Sequence, residues 1–309
     1  MNYFIGIDGG GTKTAFALFD ENKNLISLIE GPASNHENME GSFSQAADVI
    51  KDGITRLLKE NNKTLDEITG ILMGLAGMDH PYQHFAMAAE LEKRGIQGAR
   101  IYNDGFIVIK AGVTGPGIGY NCGTGTCCNS IDSRGEMLQL GGFGEFSGDK
   151  GNGHWIAQEA YRIVYDDICL KKKTSALTGL VSERLEIKDR NSFLNLLSKL
   201  ETEEGEALIR AFIVAFFECA NKGDEACLEV IEDMATRGAD YICAHLKLMQ
   251  FDCDEVTVVL SGSMHSKLPS DIYINLMGDM IKERSGRKIK FVKLDKAPVT
   301  GCINWLLEK

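Results

Sequence analysis

The chain has 309 residues, of which 44 % are apolar and 25 % are charged, a composition typical of a soluble globular protein. This length is sufficient for two hydrophobic cores, so we expect two domains. The net charge of −11 argues against a nucleic-acid partner or an anionic membrane surface held by bulk electrostatics. A polyanionic small ligand would need backbone amides, a metal ion or both.

The cysteine pattern and the hydropathy exclude two further classes of protein. Nine cysteines are scattered along the chain without a C-x-x-C pair, so their spacing predicts neither a disulfide framework nor a zinc site. No basic and apolar leader precedes the first predicted strand, and the longest apolar run, at 211–217, is too short to cross a bilayer. We therefore expect a reduced, cytoplasmic protein.

Three consecutive glycines at 9–11 separate two β-like segments, at 3–8 and 14–19. A period-two strand follows the glycines, whereas the dinucleotide fingerprint requires a helix there, and the lysine is not placed as in a P-loop. The pattern predicts a β-hairpin whose amides and threonine hydroxyls could surround phosphate oxygens. An ordinary glycine-rich hairpin is the alternative.

Helix and strand patterns alternate through the rest of the first half, which is typical of an α/β domain. We expect a helix at 43–61, a buried strand at 68–77 and a helix at 82–94. The segment R-I-Y-N-D-G at 100–105 follows, with Asp104 at the end of a buried strand.

The arrangement strand, glycine turn, strand recurs at 117–136, where the turn reads G-T-G-T. Two copies of a G-x-G-T unit predict duplicated domains that face each other. Helical patterns dominate from 153 to about 248, and a buried strand at 255–263 ends in S-G-S. A helix at 270–285, a strand and a closing helix complete the pattern. We expect domains at 1–115 and 116–297, with residues 298–309 packed back on the first.

Several of these motifs resemble those of known proteins. The segments IGIDGGGTKT, GYNCGTGT and VVLSGS resemble the two phosphate segments and the adenosine segment of the superfamily that contains actin, sugar kinases and heat-shock chaperones. The segments SNH, YNDG and GGFGEFSGDKGNGHWIA resemble N-acetylglucosamine kinases of the BadF/BadG/BcrA/BcrD ATPase family. The resemblance covers nearly the whole chain.

The resemblance implies two duplicated ribonuclease-H-like α/β domains, each with a central mixed sheet, and an ATP cleft between them. It implies ATP-dependent phosphorylation of N-acetylglucosamine, at the 6-hydroxyl. The cofactors would be ATP and Mg²⁺, and the protein would form a homodimer. It also implies that Asp8 holds Mg²⁺ through water, and it places at the nucleotide Gly10, Gly11, Thr12, Lys13, Gly123, Thr124, Gly125, Thr126, Ser261, Gly262 and Ser263.

The same resemblance gives Asp104 the role of general base, which would accept the proton of the sugar hydroxyl. The sugar site would consist of Asn35, Asp104, Gly142, Phe143, Gly144, Asp149 and Gly153. Two of these residues have structural alternatives. Asp104 could form a turn before a glycine, and Asp149 could cap a helix.

The chain departs from the family pattern at two positions of the sugar segment. Phe143 stands where the family has tryptophan, and Lys150 stands where it has an acid. Lys150 could pair with the lactyl carboxylate of N-acetylmuramic acid, and Phe143 could leave room for that group, so we expect N-acetylmuramic acid to be phosphorylated as well. Alternatively, Lys150 could belong to a solvated loop. A second candidate function is an ATP-driven electron-donating activator of an acyl-CoA dehydratase, suggested by Cys122, Cys127 and Cys128 near the second glycine turn.

Overall fold

Two five-stranded mixed sheets organise the part of the chain that the computed structural model describes, which is residues 2–123, 125–200, 202, 204–266 and 271–308. The strands are β1 (Tyr3–Gly9), β2 (Lys13–Asp20), β3 (Leu25–Pro32), β4 (Ile68–Leu75), β5 (Arg100–Tyr102), β6 (Gly117–Cys122), β7 (Thr126–Ile131), β8 (Met137–Gly141), β9 (Glu255–Ser261) and β10 (Lys288–Lys293). The helices are α1 (Ser42–Glu60), α2 (Pro81–Lys93), α3 (Asp104–Gly112), α4 (Gly153–Tyr165), α5 (Ala176–Arg184), α6 (Arg190–Leu194), α7 (Gly205–Asn221), α8 (Glu225–Leu248), α9 (Ser263–Ser266), α10 (Ile272–Ser285) and α11 (Thr300–Leu306).

The two sheets have the same topology. The first has the order β3-β2-β1-β4-β5, and the second has the order β8-β7-β6-β9-β10. In each sheet the first three strands in the chain pair antiparallel, and the last two add in parallel. The central strands are apolar runs because both of their faces are covered, whereas the edge strand β3 alternates between exposed and half-buried residues.

Helices α3 and α11 hold the two sheets together. Each follows the last strand of one sheet and contacts the other helix, and α11 packs against β1 and β4 while α3 contacts β4, β6, β7 and β9. Ile107 of α3 lies over Gly74 of the first sheet, and Ile109 lies over Gly119 of the second. Because Gly74 and Gly119 have no side chains, α3 can approach the backbone of each sheet closely.

The fold class predicted from the sequence is confirmed, with both glycine turns in β-hairpins and a helix-rich segment after 153. Strands β3 and β8 and helix α3 were not predicted. The prediction that Asp104 ends a buried strand is wrong, because β5 is a three-residue strand with no fully buried residue and Asp104 begins α3. The boundary at 115/116 stays a prediction.

No helix among the described residues is both long enough and apolar enough to cross a membrane.

Replacing Gly301 with alanine is expected to destabilise the whole chain, because α11 and α3 touch through this residue. A Cβ atom on Gly301 would lie 1.9 Å from the carbonyl oxygen of Ile107 and 2.9 Å from the amide nitrogen of Ala111, both backbone atoms of α3. The two helices would have to separate, at a loss of about 1–3 kcal/mol in the free energy of unfolding. Urea unfolding measures this loss.

The matched control is Gly179→Ala on α5, where a Cβ atom would meet no other atom within 4 Å. This variant should be as stable as the native chain or gain up to about 1 kcal/mol, since alanine is the better helix former. Equal stability of the Gly301 and Gly179 variants would contradict the tight crossing.

Candidate functional site

A cavity of about 220 Å³ lies between the two sheets. The carboxyl ends of β1 and β9 reach it, as expected for ligand sites in open α/β sheets. Its wall also includes the first turn of α3, which supplies a second carboxylate. The lining residues are Asp8, Asp104, Gly105, Val108, Asn121, Cys127, Ser261, Gly262 and Pro298.

Asp8 lies near the end of β1, where its side chain meets the cavity. The pKa of this carboxyl is raised to about 7: burial is the largest cause, the negative charge of Asp104 acts in the same direction, and the ammonium of Lys13 opposes both effects. The side chain keeps partial access to solvent. A carboxylate of raised pKa beside a second carboxylate is typical of functional sites.

Asp104 is the first residue of α3. The pKa of its carboxyl is raised to about 6, chiefly by burial and also by the charge of Asp79, while the amides of Gly105 and of Asp104 itself act in the opposite direction. Asn103 caps the helix by accepting the Gly105 amide at 2.9 Å. Asp104 therefore occupies a helix N-terminus, and the interpretation as a mere turn residue does not describe it.

The first glycine turn closes β1 and β2 beside the cavity. The Gly10 amide donates to the Lys13 carbonyl at 3.0 Å, and the Ser34 amide donates to the Gly10 carbonyl at 3.3 Å. Gly11, Thr12 and Lys13 are exposed, and the Lys13 ammonium pairs with the Glu30 carboxylate.

The second glycine turn contacts the start of α4. The Gly123 amide donates to the Gly125 carbonyl at 2.9 Å, and the Gly153 amide donates to the Gly123 carbonyl at 3.1 Å. The Thr126 hydroxyl donates to the Lys150 carbonyl at 3.0 Å. Thr124, also predicted at the nucleotide, lies outside the described residues.

The S-G-S turn after β9 meets the second glycine turn. Gly262 has φ +90°, and a Cβ atom there would lie 2.2 Å from the carbonyl oxygen of Cys122, so glycine is required on both counts. Ser261 donates its hydroxyl to Asn121 Oδ1 at 3.0 Å. Ser263 begins α9 and is exposed. The second glycine turn and the S-G-S turn, both predicted to bind nucleotide, therefore lie against each other.

Asp149 organises the loop in which it lies. Its Oδ2 accepts the amides of Gly142 and Gly144, both at 2.9 Å, and its Oδ1 accepts the hydroxyl of Tyr241 at 2.5 Å. The side chain is buried and is not among the residues that line the cavity. It does not cap α4, since Asn152 does so. A contact of Asp149 with sugar stays a prediction.

The structure favours the second interpretation of Lys150, that of a solvated loop. Its ammonium pairs with both oxygens of Asp233 on α8, each at 2.6 Å, and lies 6.0 Å from the Trp155 ring. The Lys150 ammonium, which we expected to pair with a substrate carboxylate, is thus already paired with Asp233 at the protein surface.

Of the predicted site residues that the structure describes, four line the cavity, namely Asp8, Asp104, Ser261 and Gly262. Phe143 and Gly144 are exposed in the neighbouring loop, and a Cβ atom on Gly142 would lie 3.5 Å from Cys127 Cβ. Asn35 lies against Gly77 and accepts the Glu37 amide. Sequence reasoning gave no role to Asn121 or Pro298, although Asn121 stands inside the quoted segment GYNCGTGT.

The oxygen donors at the cavity suit Mg²⁺. The Asp8 carboxylate is poorly solvated and is repelled by Asp104, so a divalent cation would relieve an unfavourable charge there. Among the described residues, no three or more histidine, cysteine or acidic side chains converge on a metal position. The ion would therefore take its remaining ligands from phosphate oxygens and water, as Mg²⁺ commonly does.

Replacing Asp8 with asparagine is expected to stabilise the ligand-free protein at alkaline pH. The pKa of Asp8 is raised from 3.8 to about 7 in the folded state, so between these values the folded chain binds more protons than the unfolded chain. The free energy of unfolding therefore falls as the pH rises through this window. The variant avoids this loss, on the order of 1 kcal/mol after allowance for solvent screening, or about 2–4 °C in Tm.

Thermal unfolding of both proteins near pH 4.5 and near pH 8 tests this expectation, with the exposed Asp52→Asn on α1 as control. The Tm difference should appear only at the higher pH. A difference that is equal at both pH values would contradict the raised pKa.

Comparison with known proteins places the chain in a family. It is 26 % identical over 264 residues to an N-acetyl-D-glucosamine kinase of Dictyostelium discoideum, and the alignment covers 82 % of each chain. It is 25 % identical over 270 residues to an N-acetylmuramic acid/N-acetylglucosamine kinase of Clostridium acetobutylicum, covering 85 % of this chain and 86 % of that one.

Solved structures share the fold at lower identity. A protein of Chromobacterium violaceum superposes with a TM-score of 0.66 at 19 % identity, covering 100 % of this chain and 99 % of that one. The characteristic pattern of the BadF/BadG/BcrA/BcrD ATPase family matches residues 5–303. An ATPase family implies ATP as a substrate. Since this match spans nearly the whole sequence, the chain belongs to the BadF/BadG/BcrA/BcrD ATPase family.

Proposed function

We propose that this protein is an ATP-dependent kinase of N-acetylglucosamine, with transfer of the phosphoryl group to the 6-hydroxyl and Asp104 as the general base. The observation that carries the proposal is the position of Asp104, which shares one cavity with Asp8 and with the S-G-S turn. The two relatives named above act, by their names, on N-acetylglucosamine.

The chemistry of Asp104 suits a base that works at neutral pH. With a pKa of about 6, its carboxyl is ionised at pH 7 and is more basic than an ordinary aspartate. It would accept the proton of the attacking sugar hydroxyl. The N-terminus of α3 holds the carboxylate in place, and the cavity limits the access of water.

The nucleotide would bind across the two glycine turns, whose backbone amides suit phosphate oxygens. Asp8 would hold Mg²⁺ through water, and the metal supplies charge neutralisation at the transferring phosphoryl group when bound. Gly10, Gly11 and Thr12 would border the phosphates on one side and Gly123, Gly125 and Thr126 on the other. Lys13 would have to leave Glu30 to reach the phosphates, which an exposed ion pair permits at small cost.

The sugar would lie between Asp104 and the loop that Asp149 organises. Gly142, Phe143 and Gly144 would form its wall, Asn35 would contact its hydroxyls, and Gly153 would begin the helix behind it. N-acetylmuramic acid is a second candidate substrate, supported by the name of the clostridial relative. The ion pair of Lys150 with Asp233 removes the argument that this lysine selects the lactyl carboxylate.

The positions of Cys122, Cys127 and Cys128 do not support the alternative function, that of an electron-donating activator. Cys122 and Cys128 are buried in the core of the second half, whereas Cys127, on the opposite face of β7, lines the cavity. The three thiols therefore do not converge on one cluster position. Purified protein should accordingly be colourless under anaerobic conditions and consume ATP only with a sugar.

Asp104→Asn is expected to lower kcat about 10²–10⁴-fold, because asparagine keeps the shape of the side chain but accepts no proton. A coupled ADP-release assay should be run over glucose, glucosamine, N-acetylglucosamine and N-acetylmuramic acid. Binding of ATP and sugar, measured by calorimetry, should stay close to that of the native protein.

The matched control is again Asp52→Asn, which removes an exposed carboxylate that does not line the cavity. A kcat of the Asp104 variant above about one tenth of the native value would show that another group is the base. Turnover of none of the N-acetylated sugars would contradict the proposed substrate class.

The pH dependence of kcat/KM provides a separate prediction. Because the base must be ionised, kcat/KM should fall as the pH drops below about 6, the pKa of Asp104 in the ligand-free protein. An acid limb near 4, the region of an ordinary aspartate, would contradict the assignment of Asp104 as a buried base.

A further inference from the structure

Four polar side chains meet where the two sheets come together, and none of them belongs to the predicted site. Asp79 follows β4, Asn103 precedes α3, Asn129 lies on β7 and Gln139 lies on β8. Asp79 Oδ1 accepts from Asn103 Nδ2 at 2.9 Å and from Gln139 Nε2 at 2.7 Å. Asn129 Nδ2 lies 3.5 Å from Asn103 Oδ1 and 3.4 Å from Gln139 Oε1. The cluster therefore joins residues of both sheets.

Asn103 connects this cluster to Asp104. One end of its side-chain amide, Oδ1, accepts the Gly105 amide and caps α3, while the other end, Nδ2, donates to Asp79. Asp79 thus fixes which way the Asn103 amide points, because a flipped amide would lose both hydrogen bonds. The first turn of α3, which carries Asp104, depends on that orientation.

The surroundings of Asp104 place Asp79 close to it. The titratable groups whose charges interact with Asp104 are Asp79, Asp8 on β1 and Cys127 on β7, and among them Asp79 raises the pKa of Asp104. Asp79 is half-buried and does not appear among the described residues that line the cavity. Its action on Asp104 therefore runs through Asn103 and through its charge.

We propose that Asp79 is a positioning residue for phosphoryl transfer, which holds Asp104 in place through Asn103 and braces it against the second sheet through Gln139. This inference rests on the proposed function, since it concerns the reaction in which Asp104 would be the base. Gln139 matters because β8 is hydrogen-bonded to β7, the strand that begins at the second glycine turn.

The first test compares Asp79→Ala with Asp79→Asn by kinetics. Alanine removes the acceptor of both hydrogen bonds, so kcat should fall about 10–100-fold, while the KM values for sugar and ATP stay within about threefold. Asparagine keeps an Oδ1 acceptor for Asn103 and Gln139, so kcat should return to within about fivefold of the native value. A raised sugar KM with an unchanged kcat would make Asp79 a substrate contact and overturn the proposal.

The second test is amide hydrogen exchange, which does not require activity. In Asp79→Ala the Asn103 cap is released, so the Gly105 amide should exchange about fivefold faster or more, whereas Asp79→Asn should leave its exchange unchanged. The start of α8, capped by Asp224, is the internal control. Unchanged exchange at Gly105 in the alanine variant would overturn the proposal.

The exchange measurement separates this proposal from the proposed function. If the native protein phosphorylates none of the sugars, the proposed function fails, and exchange at Gly105 still decides whether Asp79 holds the start of α3.

Should Asp79→Ala not fold, Gln139→Leu serves as the second variant, because it removes one donor to Asp79 at a half-buried position. Its kcat should fall about 3–10-fold with unchanged KM, and a native kcat would show that Gln139 provides no brace.

Discussion

The contact of α3 with both sheets is the constraint on which the rest of the structure depends. Ile107 and Ile109 of this nine-residue helix lie over glycines of different sheets, so the helix fixes the distance between the sheets. The cavity exists in the space that this distance leaves at the helix N-terminus. Because Asp104 is the first residue of the same helix, one packing arrangement determines both the width of the cavity and the position of its carboxylate.

The electrostatics of the cavity follow from this arrangement. The sheets bring Asp8 and Asp104 into a partly dehydrated space, where burial raises the pKa of both carboxyl groups. A cationic ligand entering this space would bind carboxylates that are poorly solvated and mutually repelled, so its charge would be worth more there than at the surface. Binding of such a ligand below about pH 7 would release protons.

Much of the fold and the outline of the site could be predicted because both depend on local patterns. The glycine turns at 9–11 and 123–126 lie between period-two segments, and these turns with the resemblance located Asp8, Asp104 and the S-G-S turn. The edge strands β3 and β8 escaped prediction because their residues are partly exposed and carry weak alternation. Helix α3 escaped because its apolar residues face two sheets and leave no polar stripe.

The partners of individual side chains could not be predicted, since they depend on tertiary contacts. Nothing local indicates that Lys150 pairs with Asp233, which is 83 residues away, or that Asp149 bonds Tyr241. Asp79 lies 60 residues from Gln139. The sequence shows that Asn103 directly precedes Asp104, but the orientation of the Asn103 amide depends on its hydrogen bond to Asp79.

The position of α11 has a consequence for the order in which the chain is made. Phe4, Phe19 and Leu72 of the first sheet pack against Val299, Cys302 and Ile303, so the earliest strands are covered by some of the last residues. During synthesis from the N-terminus, this face of the first sheet lacks its α11 cover until the ribosome has translated more than about 200 residues beyond Leu72. The nascent chain therefore carries an exposed apolar surface for most of its translation, during which that surface could associate with other unfolded chains.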